Sequence, residues 1–240
     1  MHFLSDFCTS LTVTSFAAVD TGPILEQFGN LIYLAMALCA CYGLYCIIVL
    51  MRRVKEKSFP GREAASAFLD DVSELLEKND FEGAVDVCDT PELWSRAVPQ
   101  LVQVGVENRA KPIKKIKQIV GEFFSREILS EFDVRTSWVN TIVKSAPMLG
   151  LLGTVTGMIQ AFKKIAGTGE SGVKPSELAA DISFALFTTA GGLAIAIPLV
   201  VLGAMTQTRI AKLQDSVQDN LGTFFDDLEA AQVRGEDSPS

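Results

Sequence analysis

The sequence predicts an all-α membrane protein. It has three transmembrane helices, and a cytoplasmic helical domain formed by the loop between spans 1 and 2 and by inward extensions of spans 2 and 3. Three observations carry this expectation. The apolar residues, 48% of 240, gather into three long stretches without a charge. The 29 acidic and 21 basic side chains all lie outside those stretches, which a soluble globule does not require. Arginine and lysine also crowd one end of the first stretch and are missing from the other.

Residues 1–27 contain no lysine or arginine. The opening "MHFLSDFCTSLTVTSFAA" lacks the basic start of a signal peptide, and Asp6 interrupts it, so no cleavage is expected. The segment reads as a periplasmic tail or an amphipathic stretch on the membrane surface, with Gly22 and Pro23 marking a turn at its end. The first span, 28–51, is 24 uncharged residues closed by Arg52 and Arg53. At about 1.5 Å per residue it exceeds the roughly 30 Å of bilayer hydrocarbon and can cross with some tilt. Arg52, Arg53, Lys55, Lys57 and Arg62 follow it at once, which places the N-terminus outside and residues 52–144 in the cytoplasm.

The cytoplasmic loop, 52–144, has helical periodicity. Ala65, Phe68, Leu69, Val72, Leu75 and Leu76 share a face, Asn79-Asp80 signals a turn and N-cap, and 81–87 reads as a short helix. From Ile113 to Phe132 apolar residues recur every three or four positions, predicting one long helix that runs into the second span. That span, 145–162, has 18 uncharged residues between Lys144 and Lys163-Lys164. A periplasmic loop, 163–181, leads to the third span, 182–208, with 27 uncharged residues. Residues 209–240 continue as a cytoplasmic helix, with Ile210, Leu213, Val217, Leu221, Phe224 and Leu228 in step, and end in a disordered "RGEDSPS". These amphipathic helices serve either subunit assembly or a self-contained cytoplasmic bundle.

Several function classes fall away. A net charge of −8 without a basic stripe argues against nucleic acid. The five cysteines form no C-x-x-C pair, and the one histidine, His2, sits at a terminus, so no metal or other cofactor is expected. No nucleophile–base constellation or phosphate loop points to an enzyme.

The second and third spans are unlike simple anchors. Gly150, Gly153 and Gly157 recur at i, i+3, i+7, with Ala161 one turn further, and Gly153-x-x-x-Gly157 is a small-x-x-x-small pair. Glycine weakens a helix by about 1 kcal/mol against alanine, so such a face is built for close approach of another helix. In the third span Ala185, Thr189, Gly192 and Ala196 share a face. Pro147 and Pro198 are helix-bend positions, Pro198 well inside its span. Thr156 and Thr188 are expected to bond their own backbone. Thr154 and Thr189, each on a small face, are the candidates for lining a polar path.

"SAPMLGLLGTVTGMIQAF" followed by "ISFALFTTAGGLAIAIPLVV" closely resembles the paired signature of the MotA/TolQ/ExbB proton-channel family, nearest its ExbB and TolQ branch. The resemblance covers roughly 25–230. It implies a homo-oligomer, a pentamer, in the bacterial inner membrane. Spans 2 and 3 would line a pore around single-span ExbD- or TolR-like partner helices, which carry an aspartate. Proton flow would then drive a motor that works through a TonB- or TolA-like protein on outer-membrane transport or envelope maintenance. The family's pore threonines fall on Thr154 and Thr189. The family's glutamate, five residues before the third-span threonine, is replaced here by Phe184, so the proton-binding carboxylate must come from the partner. Asp181, one turn earlier, reads as a boundary residue. A non-conducting envelope scaffold and a MotA-like flagellar stator subunit are the alternatives; MotA proteins typically have four spans against the three visible here.

Overall fold

The computed structural model describes residues 22–167 and 174–236. Among the described residues seven α-helices follow one another: α1 Gly22–Lys57, α2 Arg62–Glu77, α3 Phe81–Cys88, α4 Ala97–Glu107, α5 Ile113–Phe123, α6 Ser130–Gly167 and α7 Pro175–Glu236. A π-helical turn, Phe124–Leu129, joins α5 to α6. There is no strand among the described residues. α1, the run from α5 through α6, and α7 are each long and apolar enough to cross a membrane.

The helices outrun the spans read from hydropathy. α1 already includes Gly22 and Pro23, because proline at the first helical positions lacks only an N–H that has no intrahelical partner there. α6 continues through Lys163 and Lys164 to Gly167, and α7 begins at Pro175, so much of the expected outer loop is helical. Arg234–Glu236, expected in a disordered tail, still belong to α7. The segments 1–21, 168–173 and 237–240 lie outside the described residues.

The chain forms two compact units. The first contains residues up to Ala40 together with Lys144–Ala196, and the second contains Cys41–Val143 and the residues from Ile197 onward. The second unit has a continuous apolar core. Phe68, Val72 and Leu76 of α2, Ala84 and Cys88 of α3, and Leu101, Val102 and Val106 of α4 are all buried. Ile116 and Val120 of α5, Phe132 of α6, and Phe224 and Leu228 of α7 complete it. Removing one such leucine leaves a cavity that costs about 2–5 kcal/mol.

Local chemistry sets the joints of this bundle. Asn79 takes φ 57, a left-handed conformation that asparagine tolerates better than most residues. Asp80 then caps α3, its Oδ1 accepting from the Gly83 N–H at 3.0 Å. Gly105 is a close approach: a Cβ there would lie 2.6 Å from the Phe224 ring, so a bare backbone on α4 makes room for that ring. Near the end of α7, Gln232 Nε2 donates to the carbonyls of Arg109 and Lys111, and Arg234 lies 4.0 Å from Glu77. The Arg109 guanidinium in turn stands 4.8 Å above the Phe81 ring.

Candidate functional site

In the first unit α6 and α7 touch along their small residues. A Cβ on Gly150 would stand 2.8 Å from the carbonyl oxygen of Thr188 and 3.0 Å from the Thr189 Cα. One on Gly192 would stand 2.7 Å from the Ala146 carbonyl and 3.3 Å from the Gly150 Cα. Gly157 faces the Ala185 methyl at 2.8 Å and the Asp181 carbonyl at 3.1 Å, and Gly153 faces the Thr188 side chain. Backbone therefore packs on backbone, with Ala146, Ala161, Ala185 and Ala196 buried along the seam. In lipid, where apolar side chains gain little by meeting one another, such approach is what holds helices together.

Thr156 and Thr188 bond their own backbone, as their positions suggested, and Thr154 does the same. Thr156 donates within α6, to Leu152 and Gly153 carbonyls at 3.0 Å each. Thr188, fully buried, donates to Ala185 O at 2.7 Å and also lies 3.4 Å from Gly150 O. Thr154 donates to Leu151 O at 2.7 Å. Thr189 alone commits its hydroxyl across the seam at short range, 3.0 Å from Gly150 O. Thr154 and Thr189 are half-buried, at the margin of the packed face. A hydroxyl whose hydrogen is given to a backbone carbonyl keeps its lone pairs, so both can accept a proton donor such as a protonated carboxyl group.

Two features of this unit were not legible in the spacing. Asp181 is buried, 8% exposed, and Lys164 Nζ lies 2.8 Å from its Oδ1 and 2.7 Å from its Oδ2. The boundary aspartate is thus one half of an ion pair between α6 and α7; the signal was a lysine and an aspartate flanking the same loop. Phe184 packs edge-to-face on Tyr33 of α1, ring centroids 5.4 Å apart. Pro147 and Pro198 both sit inside helices that continue past them. No group of three metal-ligating side chains occurs among the described residues.

The model of the MotA/TolQ/ExbB proton channel family matches residues 94–219, more than half of the chain. The chain belongs to that family. An ExbB homolog from Methanothermobacter thermautotrophicus is 27% identical over 201 residues, 82% of this chain and 67% of that protein. The biopolymer transport protein exbB1 of Vibrio cholerae is 33% identical over 108 residues, 43% and 47% of the two chains. The Tol-Pal system protein TolQ of Haemophilus influenzae is 30% identical over 129 residues, 54% of each. The alignments span about two thirds of the first relative and about half of the other two. Membership in this family, with three apolar helices, makes the chain a multi-pass membrane protein of the ExbB/TolQ energiser type.

Proposed function

We propose that this chain is the pore-forming subunit of an inner-membrane motor driven by the proton-motive force. Copies of it, five in number, surround single-span ExbD- or TolR-like helices that bring an aspartate into the membrane. The motor acts through a TonB- or TolA-like protein on outer-membrane transport or envelope maintenance. The N-terminus is periplasmic and the C-terminus cytoplasmic, as the basic residues after the first span favour.

The observation that carries this reading is the seam of α6 and α7. Two half-buried hydroxyls, Thr154 and Thr189, flank backbone packing whose carboxylate, Asp181 at the Gly157 end, is already paired with Lys164. A partner carboxyl group that protonates there finds acceptors, and water must serve it when it ionises. The outward side chains of the same helices, Met148, Leu151, Phe162, Leu186 and Phe187, are 61–73% exposed and apolar, which suits burial against lipid and against further copies.

Phe184 against Tyr33 favours a second reading, a non-conducting scaffold, because an aromatic contact occupies the position the resemblance gives to glutamate. Proton flux into vesicles reconstituted with the chain and its partner separates the two. Flux that needs both proteins and falls in Thr189→Val supports the motor; a tight complex without flux supports the scaffold.

A further inference from the structure

The second unit carries an open groove of about 490 Å³, within the size range of ligand sites. Val104 of α4, Phe123 of α5 and Ile128 of the π-turn give its lining a buried or half-buried apolar part. Three exposed carboxylates, Asp89, Glu107 and Glu127, edge it. Among the described residues none of the three is in an ion pair. Glu107 receives only the neutral amide of Gln103, at 3.1 Å. Lys57, the one cation of the lining, donates to Gln100 Oε1 at 3.0 Å. Three carboxylates against one ammonium leave the groove negative.

Trp94 completes the lining, and its side chain is presented to solvent by a fixed loop. The residue is 62% exposed. Yet its carbonyl accepts from Gln100 Nε2 at 2.6 Å, and its own N–H donates to the Thr90 carbonyl at 3.0 Å. Two residues on, Arg96 stands 5.1 Å above the Phe59 ring and anchors the far side of the loop. An indole held out in this way is pre-organised for a contact. Lysine and arginine side chains suit what surrounds it. Their apolar stems fit the apolar lining, and their charged heads gain carboxylates and an aromatic face.

The place of the groove says what brings such side chains. Lys57 lies one helical turn beyond Arg53, about 5.4 Å, so the groove opens where α1 leaves its uncharged stretch. Above it α1 exposes Leu44, Tyr45 and Ile48, each 48–57% accessible. A single span lying in lipid against these side chains would end beside the groove. By the positive-inside rule that inner end carries lysine or arginine. Arg52, Arg53 and Lys55 of α1 repel such an end, while the groove offers it counter-charge.

We propose that the groove of Trp94, Glu107 and Glu127 docks the basic inner flank of a single-span protein that crosses the membrane alongside α1. This rests on the motor reading and deepens it, because it gives the force-transmitting protein an address on this chain. The flank is held by its charge and its side-chain stems, outside any route the proton takes. Proton flux with the aspartate-bearing partner should therefore survive loss of the groove, and the two readings can fail separately.

The probe is a fluorescein-labelled, end-capped peptide of four lysines and four arginines, with an octaglutamate as its counterpart. It is titrated against the detergent-solubilised full chain carrying Trp138→Phe, which leaves Trp94 as the only indole. The basic peptide should shift Trp94 emission saturably, and the acidic one should not. By anisotropy, Glu107→Gln with Glu127→Gln, and separately Trp94→Ala, should each weaken binding about tenfold. Glu63→Gln with Glu229→Gln, which removes as much charge from exposed sites elsewhere, should leave it unchanged. Equal weakening by that control pair would reduce the binding to the chain's net charge of −8 and overturn the proposal, as would an unmoved Trp94 emission. In membranes holding the complete complex, a benzophenone amino acid at position 94 should cross-link the force-transmitting protein. Cross-linking to a second copy or to the aspartate-bearing partner instead, or to nothing, would overturn it too.

Discussion

Lys164 and Asp181 clasp one another between α6 and α7, with both carboxylate oxygens within 2.8 Å of the ammonium. The pair is unequal: the Asp181 side chain is 11% exposed and that of Lys164 is 44%. Most of the desolvation therefore falls on the carboxylate, and the lysine compensates it from the wetter side. Lys164→Gln should destabilise the assembly by about 1–3 kcal/mol, because it leaves a buried charge without its counter-ion. The charge-swapped double variant, Lys164→Asp with Asp181→Lys, should recover part of that loss. A double-mutant cycle on thermal unfolding of the detergent-solubilised complex measures the coupling; a value near zero would make the pair incidental.

Thr189 and Thr154 differ in what valine would remove. Thr189→Val deletes a hydrogen bond across the seam to the Gly150 carbonyl, worth about 1 kcal/mol, as well as a hydroxyl. Thr154→Val deletes only a bond within its own helix. Both should abolish transport while the oligomer still assembles, with Thr189→Val the less stable of the two. Uptake of an energised substrate, read beside size-exclusion profiles, checks this; normal uptake by both variants would remove the polar-path role.

Glycines in this chain should respond to alanine with opposite signs. Gly150→Ala pushes a methyl to within 2.8 Å of a backbone carbonyl on α7, which cannot rotate away, so the two helices must part. The expected loss is about 1–3 kcal/mol by overpacking. Gly121 on α5 has open space where its Cβ would go, and Gly121→Ala should stabilise by up to about 1 kcal/mol through helix propensity. Melting temperatures of the two variants should move in opposite directions.

Cys88, the last residue of α3, is buried, and its thiol is pushed up to about 12, first by burial and then by the neighbouring Asp89 carboxylate. An acid with a raised folded value favours the protonated folded state. Its contribution is complete below the ordinary value of 9.0 and is lost as pH rises from there toward about 12. Each pH unit in that window weakens the helical bundle of the second unit by up to about 1.4 kcal/mol. Cys88→Ala should flatten the decline of stability above pH 9, measured by denaturant unfolding at several pH values. In the native protein at pH 8 this thiol should resist alkylation.

The sequence made the helices and their faces legible, because both follow from periods that one chain contains. Gly150, Gly153 and Gly157 fall on one side of a helix by arithmetic alone, and Asn79-Asp80 announces the start of α3 through a left-handed turn and a carboxylate cap. What each face touches was not legible. Tyr33 meets Phe184 and Lys164 meets Asp181 through contacts no local period encodes. The ends of helices were missed for a simpler reason: hydropathy marks where charge begins, while helix continues wherever backbone hydrogen bonding can. Gly22 at one end and Lys57 at the other belong to α1 on that ground.

The π-helical turn at Phe124–Leu129 acts as a phase setter. A π-turn takes one residue more than an α-turn, and one residue is about 100° of rotation. Because of it, Ile116, Val120 and Phe124 hand the buried side on to Ile128 and Phe132 at steps of four, without the drift an α-helix would impose. Deleting one residue from this turn would leave the hydrogen bonds of α6 beyond its first turn intact yet aim Val139 and Ile142 away from their present neighbours. Natural variation in the length of this segment should therefore be tolerated only in whole turns.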